Sequence, residues 1–259
     1  MLTNYSIEDY YKEKYIAFVD VLGFKDIVKN IKKLNTFDPT YHYTDADAWN
    51  KIIQYYNKIG IELLLEQNNK KIKITYISDC LIISSENILE ILKFLFYLQS
   101  NMIFNDADNV RFPTRGFLTK GHFIHSPENN IIFGEAYQRA YMNEEKNVIT
   151  PRIVTDKQVI NEIKSTQLQH FFKLDKEDNN YFIDYLFRLK IDNRIIMREE
   201  LDIYLKRQIE KHKENSNIVR KYCWLLNYYE DIKNSNPDPE KSEALKVLLG
   251  YEDLKGYLD

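Results

Sequence analysis

Three rhythms of apolar and polar positions follow one another along this chain, and each change of rhythm marks an element. Tyr15 to Val19 is a short unbroken apolar run ending at Asp20 and followed by Leu22-Gly23-Phe24. That is the pattern of a buried strand leaving through a tight turn. A helix is expected from about Phe24 to Lys33, then a loop over Asn35 to Asp47, where Pro39 and several Thr and Asp residues break the helical period. A second helix is expected over Trp49 to Glu66, with Ile52, Ile53, Tyr56, Ile59 and Leu63 on one face. Ile72 to Ile77 and Cys80 to Ile83 read as two strands around the two-residue reversal Ser78-Asp79, a hairpin with an acid at its tip. Ile88, Leu89, Ile91, Leu92 and Leu95 give Asn87 to Phe104 a buried helical face, and Thr114 to His125 returns to a strand pattern.

Strand, helices, hairpin, helix, strand is the order of the split βαβ, or ferredoxin-like, arrangement, an α+β fold in which the first strand lies centrally beside the hairpin. Such a sheet brings Asp20 and Asp79 together. Further on, Gly134 to Glu145 reads as a helix, Arg152 to Thr155 as a strand, Asp156 to Ile163 as a helix and Asp178 to Asn180 as a polar turn. From about Arg194 the period is helical again, through Leu201, Tyr204, Leu205 and Ile209, then Ile218, Tyr222, Leu225, Leu226 and Tyr229. The expected division is a first unit over residues 1–190 and a helical extension over 191–259 packed on it. The charge runs KNIKK, QNNKK and EKHKE read as solvated faces, and no internal repeat or low-complexity tract interrupts the chain.

Composition narrows the partners. A chain of 259 residues, 44% hydrophobic and with seven glycines, can bury a sizeable core and is neither disordered nor fibrous. Its net charge of −3 supplies no field to draw in DNA or RNA, although a local basic pocket could still grip a triphosphate. Cys80 and Cys223 have no CxxC spacing and read as buried thiols. The amino-terminal segment mixes acids with bases and lacks an apolar stretch, so neither a signal peptide nor a membrane span fits, and a cytosolic protein is expected.

An aspartate after an apolar strand is commonly a turn or helix cap, and so is one in a hairpin. The pair is what carries chemistry. Two carboxylates within reach of one another need a cation between them, and two oxygen ligands plus substrate phosphates suit Mg²⁺ or Mn²⁺. His122 and His125 lie three apart in a strand, hence on opposite faces, which speaks against their sharing a metal.

At these residues the chain resembles a known family. YIAFVDVLGFKDIV is similar to the first metal motif of the class III nucleotidyl cyclases, and TYISDCLIIS to their second. RGFLTKG, IFGEAYQRAYMNEE, TPRIV, NYFIDYL and KYCWLLNYY resemble, more narrowly, the pyrimidine cyclases of the antiphage system called Pycsar. The similarity runs from Tyr15 to about Ile232. It implies a cyclase catalytic core on the ferredoxin-like fold, converting UTP or CTP to the 3′,5′-cyclic monophosphate and pyrophosphate. It also implies a cytoplasmic homodimer whose product acts on a downstream effector in antiviral defence, with no part for nucleic acid or membrane.

By that resemblance two Mn²⁺ or Mg²⁺ ions sit on Asp20, Asp79 and the Val21 carbonyl, and the turn at Gly23, Phe24 and Lys25 holds the triphosphate, as amides at a helix start would. Arg115, Arg139 and Arg152 fall within the family-like segments as candidates to stabilise charge on the phosphates. The chain departs from the purine cyclases at two places. Alignment on Ile132-Phe133-Gly134 puts Gln138 where they carry an Asn that acts across the dimer, and Met142 where they carry an Arg. Thr75 and Ile131 stand at the positions that read the purine ring, and neither can reproduce that readout. Glu144, Tyr137 and Tyr141 read as packing or helix-surface residues. Two other classes share such a scaffold: a further two-metal phosphodiester enzyme or oligonucleotide-forming polymerase, and a silent nucleotide-binding module. The polymerase lacks support because Ser78-Asp79-Cys80 has no diglycine-like tip, and the silent module because both carboxylates are present, while another two-metal phosphodiester enzyme stays open as the alternative.

Overall fold

The computed structural model describes residues 11–24, 71–104, 111–191 and 195–250. The helices expected over Phe24 to Lys33 and Trp49 to Glu66, the loop between them, and Lys25 lie outside the described residues.

Within them the chain runs β1 (Lys12–Val21), β2 (Ile72–Ile77), β3 (Cys80–Ser85), α1 (Ile88–Phe104), β4 (Thr114–Ser126), β5 (Ile131–Gly134), α2 (Glu135–Asn147), β6 (Ile153–Thr155), α3 (Lys157–Ile163), β7 (Phe172–Leu174), β8 (Tyr181–Ile183), the single turn α4 (Arg188–Ile191), and the helices α5 (Ile195–Lys211), α6 (Ser216–Asn234) and α7 (Pro239–Leu249). One sheet has the order β2-β3-β1-β4-β6-β8-β7, with β5 paired to β4. Its first four strands, each antiparallel to the next, have the split βαβ order. The expected α+β core is therefore present, and the sheet continues past it through β6, where a strand was expected over Arg152 to Thr155, and then through β8 and β7, which the sequence pattern did not single out.

β1 is longer than its apolar run, because pairing with β4 carries it back to Lys12 and forward to Val21. Burial on both faces explains why its middle is unbroken rather than alternating. Tyr15, Ala17, Val19 and Val21 enter a large core shared with α1 and with α5, α6 and α7, while Ile16 and Phe18 join Ile82, Phe123, Ala136 and Ala140 in a small cluster under α2. The two alanines, one helical turn apart, let α2 lie close on β4. A methyl added at Gly121 would sit 3.1 Å from the Ala136 Cβ.

The β2–β3 turn has Ser78 at φ 55, the left-handed backbone that two-residue hairpins favour because it matches strand twist. Asp156 caps α3 by accepting from the Val159 amide at 3.0 Å, and Asp238 caps α7 in front of Pro239. Two buried aspartates tie the carboxy-terminal helices to the sheet. Asp175 accepts from the Trp224 indole at 2.8 Å, and Asp184 accepts from Tyr228 at 2.6 Å and pairs with Lys241 at 2.7 Å. Among the described residues no helix is long and apolar enough to cross a membrane.

β4 does more than pair. Its first half lies between β1 and β6, but its last residues cross the face of the sheet, so that His125 meets Ser84 on β3 and Thr75 on β2, strands that are not its neighbours. α2 begins immediately beyond the β4–β5 arm, at Gly134. There φ is +140, and a methyl would fall 2.6 Å from the Phe123 Cα, so this corner needs glycine.

Candidate active site

The register of the central strands sets the site. Asp20, near the end of β1, is paired across the sheet with Cys80 on one side and Arg115 on the other. Asp79 is held at the hairpin tip next to Cys80, and its carbonyl accepts from the Val21 amide at 3.1 Å, which ties the tip to the end of β1. As a result, one ligand atom each from Asp20, Asp79 and Cys80 lie within 4.8 Å of one another. Two carboxylates so placed can hold a hard divalent cation, so the oxygen donors fit the metal chemistry expected from the sequence.

Electrostatics point the same way. Burial raises the Asp20 pKa above the ordinary carboxylate value and the nearby Asp79 adds to that, while the hydrogen bond and charge of Arg115 hold it back. Arg115 donates from Nε to Asp20 at 3.0 Å and from Nη1 to the Val148 carbonyl at 2.9 Å. Its Nε also lies 2.7 Å from Glu144 Oε1. That single N–H is already given to Asp20, so Glu144 gains charge attraction there without a hydrogen bond, and its Oε1 is left with no hydrogen-bond partner. Glu144 is 3% exposed and its pKa is pushed up to about 7, by burial first, with Arg115 opposing and Asp20 adding. Burial and then the charges of Asp20 and Asp79 push the Cys80 thiol up to about 12, which keeps it protonated and unreactive.

The remaining expected residues fall into three groups. Val21, Gly23 and Phe24 come within four residues of Asp20: Gly23 turns the chain at φ +87, and Phe24 is buried. Thr75 lies on the carboxylate face and bonds His125 at 2.9 Å, whereas Ile131 pairs with Ser126, the next residue of β4, and so points to the opposite face from His125, exposed. Gln138 is exposed on α2, and Arg139, half-buried, donates to the Lys120 carbonyl at 3.2 Å and lies 3.9 Å from Asp156. Arg152 is not brought to the carboxylates. Its guanidinium is buried between Asp175 and Asp178, with its centre 5.3 Å from the Trp224 ring.

Glu144 and His125 are the residues whose placement the sequence reading did not use. Ala136, Ala140 and Glu144 recur at helical spacing, so an acid occupying the buried stripe of α2 was a legible signal. His125 had none, because its partners on β2 and β3 depend on the crossing of β4 over the sheet.

Comparisons with known proteins come from structure alone: no protein-family model and no curated protein matches the chain. The adenylyl cyclase CyaB from P. aeruginosa superposes with a TM-score of 0.44 at 12% identity, over 66% of this chain and 94% of that one. The catalytic core of a rhodopsin-guanylyl cyclase with converted specificity, in complex with ATPalphaS, gives 0.43 at 12% over 67% and 96%. A bacterial light-regulated adenylyl cyclase gives 0.42 at 13% over 67% and 90%. Likenesses of this size carry no argument by themselves.

Proposed function

We propose that this chain is a metal-dependent nucleotide cyclase that converts UTP or CTP to the 3′,5′-cyclic monophosphate with release of pyrophosphate. The observation that carries the reading is the convergence of Asp20 and Asp79, with Arg115 bonded to the first of them. Two bound Mn²⁺ or Mg²⁺ ions would supply a lowered pKa for the ribose 3′-hydroxyl and neutralisation of the triphosphate. The chain's own residues do the rest. Asp20, Asp79 and the Val21 carbonyl would hold the cations, and the turn at Gly23 would receive the phosphates. Arg115 steadies the Asp20 carboxylate, leaving Arg139 and Gln138 on α2 to reach a nucleotide held by a second copy.

A homodimer is part of the proposal. Tyr141 and Met142, about one helical turn on from Gln138 along α2, are large apolar side chains left exposed beside it, as a face covered by another copy requires. Pyrimidine preference rests on the resemblance, which puts Thr75 and Ile131 at the purine-reading positions, where only one hydroxyl is offered to a purine's polar edge. The role as a cytoplasmic second-messenger synthase in antiviral defence rests on the sequence resemblance, and the division into a catalytic unit over 1–190 and a helical extension over 191–259 rests on the return of a helical period near Arg194.

The test is to incubate the protein with each of the four ribonucleoside triphosphates and Mn²⁺ or Mg²⁺ and to identify products by mass. Cyclic UMP or cyclic CMP is expected, at a rate lost in Asp20→Asn and Asp79→Asn chains that melt like the parent. Wild-type turnover in either variant would overturn the assignment of the carboxylates. A tenfold preference for a purine would overturn the pyrimidine reading.

A further inference from the structure

Away from the carboxylates, a buried histidine joins two hydroxyls. His125 is 1% exposed, with Nδ1 2.7 Å from Ser84 Oγ and Nε2 2.9 Å from Thr75 Oγ1. The charged groups around it are Lys73, whose ammonium donates to the His125 carbonyl at 2.9 Å, Lys14 and Glu128. Burial and the two lysines favour the neutral ring, which has one N–H and one lone pair.

Which nitrogen carries the proton follows from Ser84. Ser84 is 1% exposed, and its hydroxyl has no other hydrogen-bond partner among the described residues. A proton on Nδ1 would leave the serine's own proton buried without an acceptor, at the full cost of an unmade bond. Ser84 therefore donates to Nδ1, and Nε2–H donates to Thr75. The Thr75 hydroxyl, half-buried and with no further partner among the described residues, is left with its own proton to offer. Accepting from the imidazole polarises that O–H, making it a better donor and a poorer acceptor.

Resting on the cyclase reading, we propose that Ser84 and His125 are positioning residues that fix Thr75 as a hydrogen-bond donor, so that the site prefers a base with a carbonyl at the edge it meets over one with an amine. Uracil and guanine carry a carbonyl where cytosine and adenine carry an amino group. The selection is thus of keto over amino nucleotides, whichever ring size the pocket takes. Strand spacing puts Thr75 roughly 12 Å from Asp20, two strands over and two residues along, on the face the carboxylates occupy. That suits one end of a nucleotide at the carboxylates and the other at Thr75.

Two measurements test this. Nitrogen-15 NMR of histidine-labelled protein reads the tautomer directly, without any nucleotide. A protonated Nε2 and bare Nδ1 on His125 are expected, and a proton on Nδ1 overturns the relay. Equilibrium competition with Ca²⁺ present should give about five- to tenfold tighter binding of UTP than CTP, and of GTP than ATP. The preference should vanish in both pairs in Thr75→Val, persist in Thr75→Ser, and shrink in Ser84→Ala as the His125 tautomers mix. An unchanged preference in Thr75→Val overturns the proposal even if the serine variant fails to fold. Binding of none of the four nucleotides overturns the cyclase reading and the base selection with it, while the NMR result still judges the relay.

Discussion

Acid should unfold this protein in part through one side chain. His125 has its pKa held down to about 4 by burial, then by the charges of Lys73 and Lys14, against an ordinary value of 6.5. Between those values the unfolded chain carries a proton on His125 that the folded chain does not, so stability falls as pH falls. The contribution is fully present above pH 6.5 and is lost progressively down to about pH 4. That interval, about 2.5 pH units, converts to about 3 kcal/mol, a large part of the margin of an ordinary domain. The assay is urea unfolding of the parent and of His125→Asn at steps from pH 7.5 to 4.5. The variant starts less stable, because asparagine cannot bridge Ser84 and Thr75 as the ring does. Across the series, however, the parent should lose about 2 to 3 kcal/mol more than the variant. Glu144 acts in the opposite sense: its pKa, raised from 4.5 to about 7, makes the fold gain stability as pH falls through that window. It is common to both chains and cancels in the difference. Parallel pH profiles would refute the argument, since they would mean that the folded ring titrates as it does in the open chain.

Two further substitutions probe the frame around the site. Gly134→Ala would push a methyl into the Phe123 Cα and the His122 carbonyl, backbone atoms that cannot step aside, at a φ of +140. A loss of about 2 to 3 kcal/mol is expected in chemical denaturation, and an unchanged midpoint would show that the corner relaxes cheaply. Arg152→Met leaves Asp175 buried without its cation and should cost about 3 to 5 kcal/mol, much of it recovered in the double variant with Asp175→Asn. A catalytic loss in Arg152→Met at parental stability would instead return Arg152 to the chemistry.

The central strands were legible because their apolar runs are bounded by polar turns and their order admits few topologies. The hairpin is the clearest case: β2 has the expected bounds, Ile72 to Ile77, and Ser78-Asp79 makes the reversal. β7 and β8 escaped notice, since three-residue strands carry too few positions to show a period. Arg152 shows what sequence leaves out. Beside Pro151 in a family-like segment it reads as a phosphate ligand, yet Asp175, Asp178 and Trp224, brought from later in the chain, surround it instead. Asp20 and Asp79 were found because their chemistry needs only neighbouring strands. The Ser84–His125–Thr75 relay needed the path of β4 over the sheet, which no local pattern encodes.

Arg115 and His125 stand toward opposite ends of that strand, with no loop between them. The carboxylate end and the hydroxyl end of the face are thus joined by one continuous strand that curls back over the sheet, anchored at the first by the ion pair to Asp20 and at the second by two hydrogen bonds across to β2 and β3. Its span is a property of the backbone rather than of any adjustable side chain. A ligand that seats at both ends is gauged for length as well as for chemistry.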